Sequence, residues 1–356
     1  MKVYNLIPPE TDIAKYIGYN IGIRPARKGG PRIERENIRD KIVYHNYGHA
    51  GYGVTMAYGS AKLSVSMCAN DLGHSHKQIA VIGCGYMGLH SALLLKNLGY
   101  DVTIYADVFP AKFGVFNDSK SKLTSQIAAG QILPSHFDYS PNKPLTQLIY
   151  QTTFEYLERM YEQKKYKGIL KRDVFFIQPP KDLLTSFVEG TMTPIEEVKI
   201  NFNTGHLIPG YRTTTYQFEG DIPLNKLMEE AKSMGVQIVN RRFESLDEIL
   251  SLKEKVIFNC SGFSSKYLFN DDKMVPLKGV MLAMKLPKGY DYFLETFINN
   301  KSYSFTTYPM HERISYGLIK VEEEELGYEN EQKYFKILYE NIQEFKEKFL
   351  DPRPKL

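Results

Sequence analysis

The sequence predicts an α/β protein with two sheets, one mostly parallel and one mostly antiparallel, and three observations carry that expectation. The apolar run "IAVIG" (79–83) leads through a glycine turn into a helical pattern, and then to a second apolar run, "DVTIYAD" (101–107). Strand, helix and strand in that order make a crossover unit whose strands lie parallel. Downstream, "MVPLKGVMLAMKL" (274–286) and "RISYGLIKV" (313–321) read as longer strands of a second sheet.

Within the crossover unit, Gly83, Gly85 and Gly88 stand at G-x-G-x-x-G spacing. Leu89, Ala92, Leu93 and Leu95 then fall on helical spacing, and Gly99 caps the helix. Asp107 closes the second strand, 24 residues after Gly83. This is a complete Rossmann-like dinucleotide fingerprint. One glycine makes the tight turn, one admits a pyrophosphate close to the backbone, and one lets helix and strand pack. The helix N-terminus faces phosphate charge, and the aspartate accepts from ribose hydroxyls. The unit does not by itself separate FAD from NAD.

The next elements continue the pattern. "VQIVNRRF" (236–243) follows a helix ending near Gly235, and "KVIFNCSG" (255–262) is a buried strand finishing in small residues. Residues 325–350 repeat aromatic and aliphatic residues every three to four positions, an amphipathic helix. "CANDLGHSHK" (68–77) is the best short polar connector. Upstream of it, "HNYGHAGYGVTMAYGSA" (45–61) packs two histidines, three tyrosines and four glycines into 17 positions. Two stretches of bare backbone so close together ask for one ligand that both approach.

Composition sets outer bounds. The chain has 356 residues, 43% hydrophobic and 24% charged, with a net charge of +4, which suits one large or two ordinary soluble domains. No lysine-arginine tract points to nucleic acid, and no apolar leader or membrane-length apolar run occurs. Three cysteines without CxxC spacing argue against a disulfide framework or zinc knuckle. The expected location is cytoplasmic. His45 and His49 are four apart, but glycines at 48, 51 and 53 break any helix that would align them, so no metal site is expected.

With these pieces assembled, the chain resembles the FAD-dependent D-amino-acid oxidase family over nearly its whole length. "HNYGHAGYGVT" (45–55) is similar to the family's flavin-facing signature, and "GIRPAR" (22–27) with "PRIERE" (31–36) to its arginine strand and following turn. "IAAGQILP" (127–134) is similar to its alanine-glycine stretch, and "VIFNCSG" (256–262) with "PLKGVMLAM" (276–284) to its strand and turn near the pyrophosphate. The order is rotated: the family's closing segment precedes the glycine fingerprint. A circular permutation is therefore expected, with residues 1–70 folding back within the same chain; exchange with a neighbouring subunit is the alternative.

The resemblance implies FAD, a small amino-acid or amine substrate and molecular oxygen, with a homodimer as a candidate assembly. It implies a discontinuous FAD-binding domain (40–140 plus 235–270) and a substrate domain with the antiparallel sheet (10–39 plus 141–234 plus 271–350). Arg24 is implied as the grip on the substrate α-carboxylate, by planar bidentate pairing. Gly51 is implied as the acceptor from the substrate amine; Arg27 and Arg32 read as structural. Ala50, Tyr52, Gly53, Val54 and Thr55 are implied over the flavin. Other implied cofactor contacts are Gly83, Gly85, Tyr86, Met87, Gly88, Asp107, Thr124, Ser125, Ala129, Gly130, Gln131, Phe243, Ser261 and Gly262.

Departures from the family fall on the substrate side. Its two active-site tyrosines align with Ser302 and Thr306; Tyr303 and Tyr308 are near, and Tyr308 shares the strand face of Thr306. Ile132 and Leu133 replace a tryptophan-glutamine pair as a more apolar flavin rim, and Lys278 replaces an arginine before glycine. The implied reaction is hydride transfer from Cα of a D-amino acid to flavin. Oxygen then gives hydrogen peroxide, and the imine hydrolyses to 2-oxo acid and ammonia. Oxidation or dehydrogenation of glycine, a secondary amine or a pathway intermediate stays open beside it, as does a flavin-binding protein without turnover.

Overall fold

The structure is a computed structural model that describes residues 1–73, 75–111, 123–133, 142–181, 190–298, 304–321 and 331–351. Among these residues the strands are β1 Lys2–Asn5, β2 Tyr16–Arg27, β3 Arg32–Ile38, β4 Lys41–Tyr47, β5 Gln78–Ile82, β6 Asp101–Ala106, β7 Ile169–Phe176, β8 Glu196–Asn201, β9 Ile208–Phe218, β10 Gln237–Asn240, β11 Val256–Asn259, β12 Met274–Lys285, β13 Phe293–Phe297, β14 Ser304–Met310 and β15 Arg313–Val321. The longer helices are α1 Gly53–Leu72, α2 Tyr86–Asn97, α3 Lys143–Glu162, α4 Asp221–Ser233 and α5 Glu331–Phe345.

The molecule is α/β with mixed sheets. Six strands order as β10-β6-β5-β11-β4-β3, parallel except for the antiparallel edge pair β3–β4. The central strand β5 is apolar because helices cover both its faces: Ile79, Ala80, Val81 and Ile82 are all buried. β4, carrying "HNY", pairs with β11 of its own chain, Tyr44 opposite Phe258. The other nine strands order as β1-β8-β9-β7-β13-β14-β15-β12-β2, antiparallel except for the pairs β1–β8 and β13–β7.

Alternation along β12 assigns the two faces of the larger sheet. Val280, Leu282 and Met284 pack under α5, whose Tyr334, Leu338, Ile342 and Phe345 form a helical-spaced apolar stripe. Leu277, Gly279 and Met281 face the other way, into a cleft between the sheets. Pro25 is tolerated in β2 because that strand is an edge, where no ladder donor is missing.

Several expectations change. α1 runs on to Leu72, so the connector shrinks to 73–77, the helix having absorbed "CANDL" because Cys68 is buried in the core. β3 stays with β4 in the six-stranded sheet through a tight turn with Arg39 at φ +55°. β1 adds a parallel edge strand that the sequence did not announce. α3 packs its Phe154, Tyr156 and Leu157 into the same core as α2 and β5. The amphipathic C-terminal helix begins its described course at Glu331 and widens to a π turn over Lys346–Leu350. No helix among the described residues is long and apolar enough to cross a membrane.

Candidate active site

One cleft of about 2020 Å³ runs between the sheets, with glycine-rich turns at one end and the arginine strand at the other. At the glycine end β5 turns through Gly83 (φ +105°) into α2. A Cβ on Gly83 would meet the Cys260 carbonyl oxygen at 2.5 Å, so β11 crowds this turn and only glycine fits. Gly88 does not line the cleft; its Cβ would sit 2.0 Å from the Gly83 carbonyl oxygen, so the missing side chain lets helix and strand pack closely. Ser125 Oγ accepts from the Tyr86 amide at 3.3 Å, and Asp107, Arg241 and Phe243 line the cleft beyond. The Arg241 guanidinium lies over the Phe243 ring, 4.7 Å from its centroid.

The second glycine stretch wraps the middle. After β4 the chain turns at Gly48 (φ +87°) and Ala50 (φ +50°), then enters α1 at Gly53. Ala50, Gly51, Tyr52, Gly53, Val54 and Thr55 all face the cleft, as do Thr124, Ala129, Gly130, Gln131, Ser261 and Gly262. Leu133 is on the rim, but Ile132 turns into the buried core instead. His45 Nε2 meets Glu36 Oε2 at 2.9 Å, and its Nδ1 faces the Asn259 amide at 3.1 Å. Burial, and then Arg32, push its pKa down to about 4. Among the described residues no three His, Cys, Asp or Glu side chains converge on one point.

At the far end Arg24 extends from β2 over Gly279 of β12. A Cβ on Gly279 would lie 2.7–2.9 Å from three guanidinium atoms, so the missing side chain is where the arginine rests. The Arg24 side chain also passes Gly51, whose Cβ would lie 3.3 Å from Arg24 Cδ. Burial lowers the arginine's pKa, with nearby Tyr308 opposing that shift. No carboxylate among the described residues pairs with it. Arg27, by contrast, donates Nε to Asp271 Oδ2 at 2.7 Å, and Arg32 is held by Glu34, Glu36 and Tyr47. Tyr308 and Thr306 are buried side by side on one face of β14. Burial raises the Tyr308 phenol, Glu295 raises it further, and Arg24 and Thr306 oppose. Tyr303 and Ser302 lie outside the described residues. Lys278 points away from the cleft, its ammonium 5.0 Å from the Tyr334 ring centroid under α5.

The lining fits a flavin dinucleotide. Among the described residues nothing pairs with either amide atom of buried Asn46, with His49 Nε2 or with Gln131 Nε2; all three residues border the cleft. Buried polar atoms left bare in a protein interior are the donors and acceptors of a ligand or of water. Asn46, His49 and Glu295 escaped the sequence reading, whereas Gln131 was among the implied cofactor contacts. Only Asn46 and His49 carried a signal, their place inside "HNYGH".

The molecule is thus an α/β protein whose two mixed sheets share a cleft, glycine-lined at one end and arginine-bearing at the other. It belongs to the DAO family of FAD dependent oxidoreductases, whose model matches residues 78–351. Human D-aspartate oxidase is 25% identical over 253 residues, 67% of this chain and 67% of that protein. D-amino-acid oxidase of Fusarium vanettenii is 44% identical over 52 residues, 14% of each chain. Among solved structures, L-amino acid deaminase from Proteus vulgaris superposes at TM-score 0.45 and 12% identity, covering 68% of this chain and 61% of its own.

Proposed function

We propose that the protein is an FAD-dependent oxidase of amino acids, with D-amino acids as its substrates. The observation that carries this reading is Arg24: a guanidinium set into protein with no internal counter-charge among the described residues is costly unless an anion from outside meets it. A planar guanidinium takes an α-carboxylate by two parallel hydrogen bonds, which fixes the Cα of the substrate in one orientation. Gly51 shares the arginine's corner, and its backbone receives the substrate amine. The Tyr308 phenol, kept protonated by its raised pKa, donates to the bound carboxylate. Leu133, Met281 and Phe176 exclude water from the same space.

Gly83, Gly85 and the α2 N-terminus take the pyrophosphate, Asp107 the ribose, and residues 50–55 the flavin. Once bound, FAD supplies the two-electron acceptor: the CH–NH2 group loses a hydride and a proton, oxygen receives the electrons as hydrogen peroxide, and water converts the imine to 2-oxo acid and ammonia. In this reading the chain is a circular permutation of the family pattern. The family match starts at residue 78, while β2 and β4 from the first 77 residues pair with β12 and β11. The test is a peroxide-coupled screen of D- and L-amino acids, glycine and sarcosine with purified holoprotein. Arg24→Ala should raise KM for the best substrate a hundredfold or more, as expected for about 3 kcal/mol lost with a buried charge pair. An unchanged KM in that variant, or no bleaching of the flavin by any amino acid, refutes the reading.

A further inference from the structure

We infer that His45 is a positioning residue for FAD: acting through Asn259, it fixes the Cys260–Ser261 turn after β11 against the glycine turn that seats the pyrophosphate. This rests on the reading of Gly83 and Gly85 as that seat. His45 stands on β4 directly opposite Asn259 of β11, and both side chains are buried. Asn259 Oδ1 accepts from the Ser261 amide at 3.2 Å and from the Ser261 hydroxyl at 2.7 Å. A backbone N–H can only donate, so the carbonyl side of the Asn259 carboxamide faces Ser261 and its NH2 side faces His45 Nδ1, 3.1 Å away. On the other side of the ring, Nε2 meets Glu36 Oε2 at 2.9 Å, and a carboxylate only accepts. The two ends of the chain therefore set every group between them: the ring carries its proton on Nε2 and offers a bare Nδ1 to Asn259.

The surroundings of the ring agree with that state. Burial, and then Arg32, favour the neutral ring against the pull of Glu36 and Glu34. The Tyr47 and Phe269 rings meet the imidazole edge-on, with centroids 5.7 and 5.3 Å away, and hold its plane. Glu36 is half exposed and is shared with Arg32 Nη2 at 2.9 Å, so the chain begins at the surface of β3. It ends at the cofactor cleft, which Ser261 lines. A Cβ on Gly83 would stand 2.5 Å from the Cys260 carbonyl oxygen and 3.4 Å from Ser261 Cα, so the two turns touch through backbone. Ser261 Oγ also lies 2.8 Å from Ser265 Oγ, and Asn259 Nδ2 reaches the same hydroxyl at 3.3 Å. With the Nδ1 acceptor gone, one buried hydrogen of the Asn259 NH2 has no partner. Turning the carboxamide over would set that NH2 against the Ser261 N–H, donor against donor. Either way the Ser261 turn loses its anchor.

The experiment measures the rate at which the full-length holoprotein releases FAD, followed by the rise of free FAD fluorescence on dilution. His45→Asn keeps an acceptor oxygen at the place of Nδ1 but leaves space between Tyr47 and Phe269. His45→Phe fills that space and offers no acceptor. His45→Phe should release FAD about tenfold faster than the unaltered protein, and His45→Asn should stay within about threefold of it, since an unmet buried donor carries its full desolvation cost. A role in packing alone reverses this order, because the cavity then matters and the acceptor does not. His45→Asn releasing FAD as fast as His45→Phe, or faster, overturns the inference. Nitrogen NMR of the unaltered holoprotein at neutral pH is the second measurement, with the His45 signals identified by their absence from His45→Asn. It should show Nε2 protonated and Nδ1 bare; a proton on Nδ1 overturns the inference whatever the variants do. An unaltered protein that takes up no FAD would instead remove the cofactor reading beneath it.

Discussion

Single residues at the arginine end act by what they leave out as much as by what they carry. Gly279 is the clearest case, since its missing side chain is the seat of the Arg24 guanidinium. Gly279→Ala should push the far end of a flexible side chain aside without disturbing backbone. The expected result is a KM raised about tenfold with stability changed by no more than about 1 kcal/mol. Steady-state kinetics and a urea melt of the same preparation separate the two, and an unaltered KM would remove Gly279 from the site. Arg24, Gly51 and Tyr308 were reached through the family resemblance of the segments that carry them. Glu295 was not, because an acid within a strand looks like any solvated face until the fold turns that face inward. Ile132 misled for the converse reason: one residue along the segment after Gln131 separates a place on the rim from a place in the buried core.

Among the elements, the contact of β5 with α2 sets the position of everything at the glycine end. Gly88→Ala would place a Cβ 2.0 Å from the Gly83 carbonyl oxygen, where both sides are backbone and neither can rotate away. We expect a loss of about 1–3 kcal/mol or more, together with loss of flavin content, because the Gly83 turn must move with the helix. Gly99→Ala provides the contrast. That site has φ +86° and open space around it, so it should cost about 1 kcal/mol and leave flavin content intact. Equal flavin retention in the two variants would contradict this account. The crossover unit and the C-terminal helix were readable because their apolar periodicities are long. β1 and the β3–β4 hairpin were not, since short half-exposed strands depend on their partners more than on their own composition.

For the whole molecule, the arrangement depends on the first 77 residues closing both sheets. β2 extends the larger sheet beside β12, and β4 lies beside β11 in the smaller one. The segment before β2 is also tied to α5, with Gln343 Nε2 donating to the Thr11 carbonyl at 3.3 Å. A rearranged chain, opened between residues 73 and 77 and with its original ends joined by a short flexible linker, should fold and bind FAD. Termini close in space permit such rearrangements. Flavin titration and circular dichroism of that chain provide the check, and a product that folds without binding FAD would count against the permuted reading.

The sequence by itself determined the α/β class and the glycine fingerprint with Asp107, because periodicity and turn chemistry are local properties; the strand that carries Arg24 was reached through the family resemblance of "GIRPAR". Only the tertiary structure decided that Arg24, Gly279, Tyr308 and Glu295 share one cleft floor. These residues sit on β2, β12, β14 and β13, as much as 284 positions apart (308 − 24). Which side chains face one another across a sheet follows from strand order and register, and neither is written in any single segment.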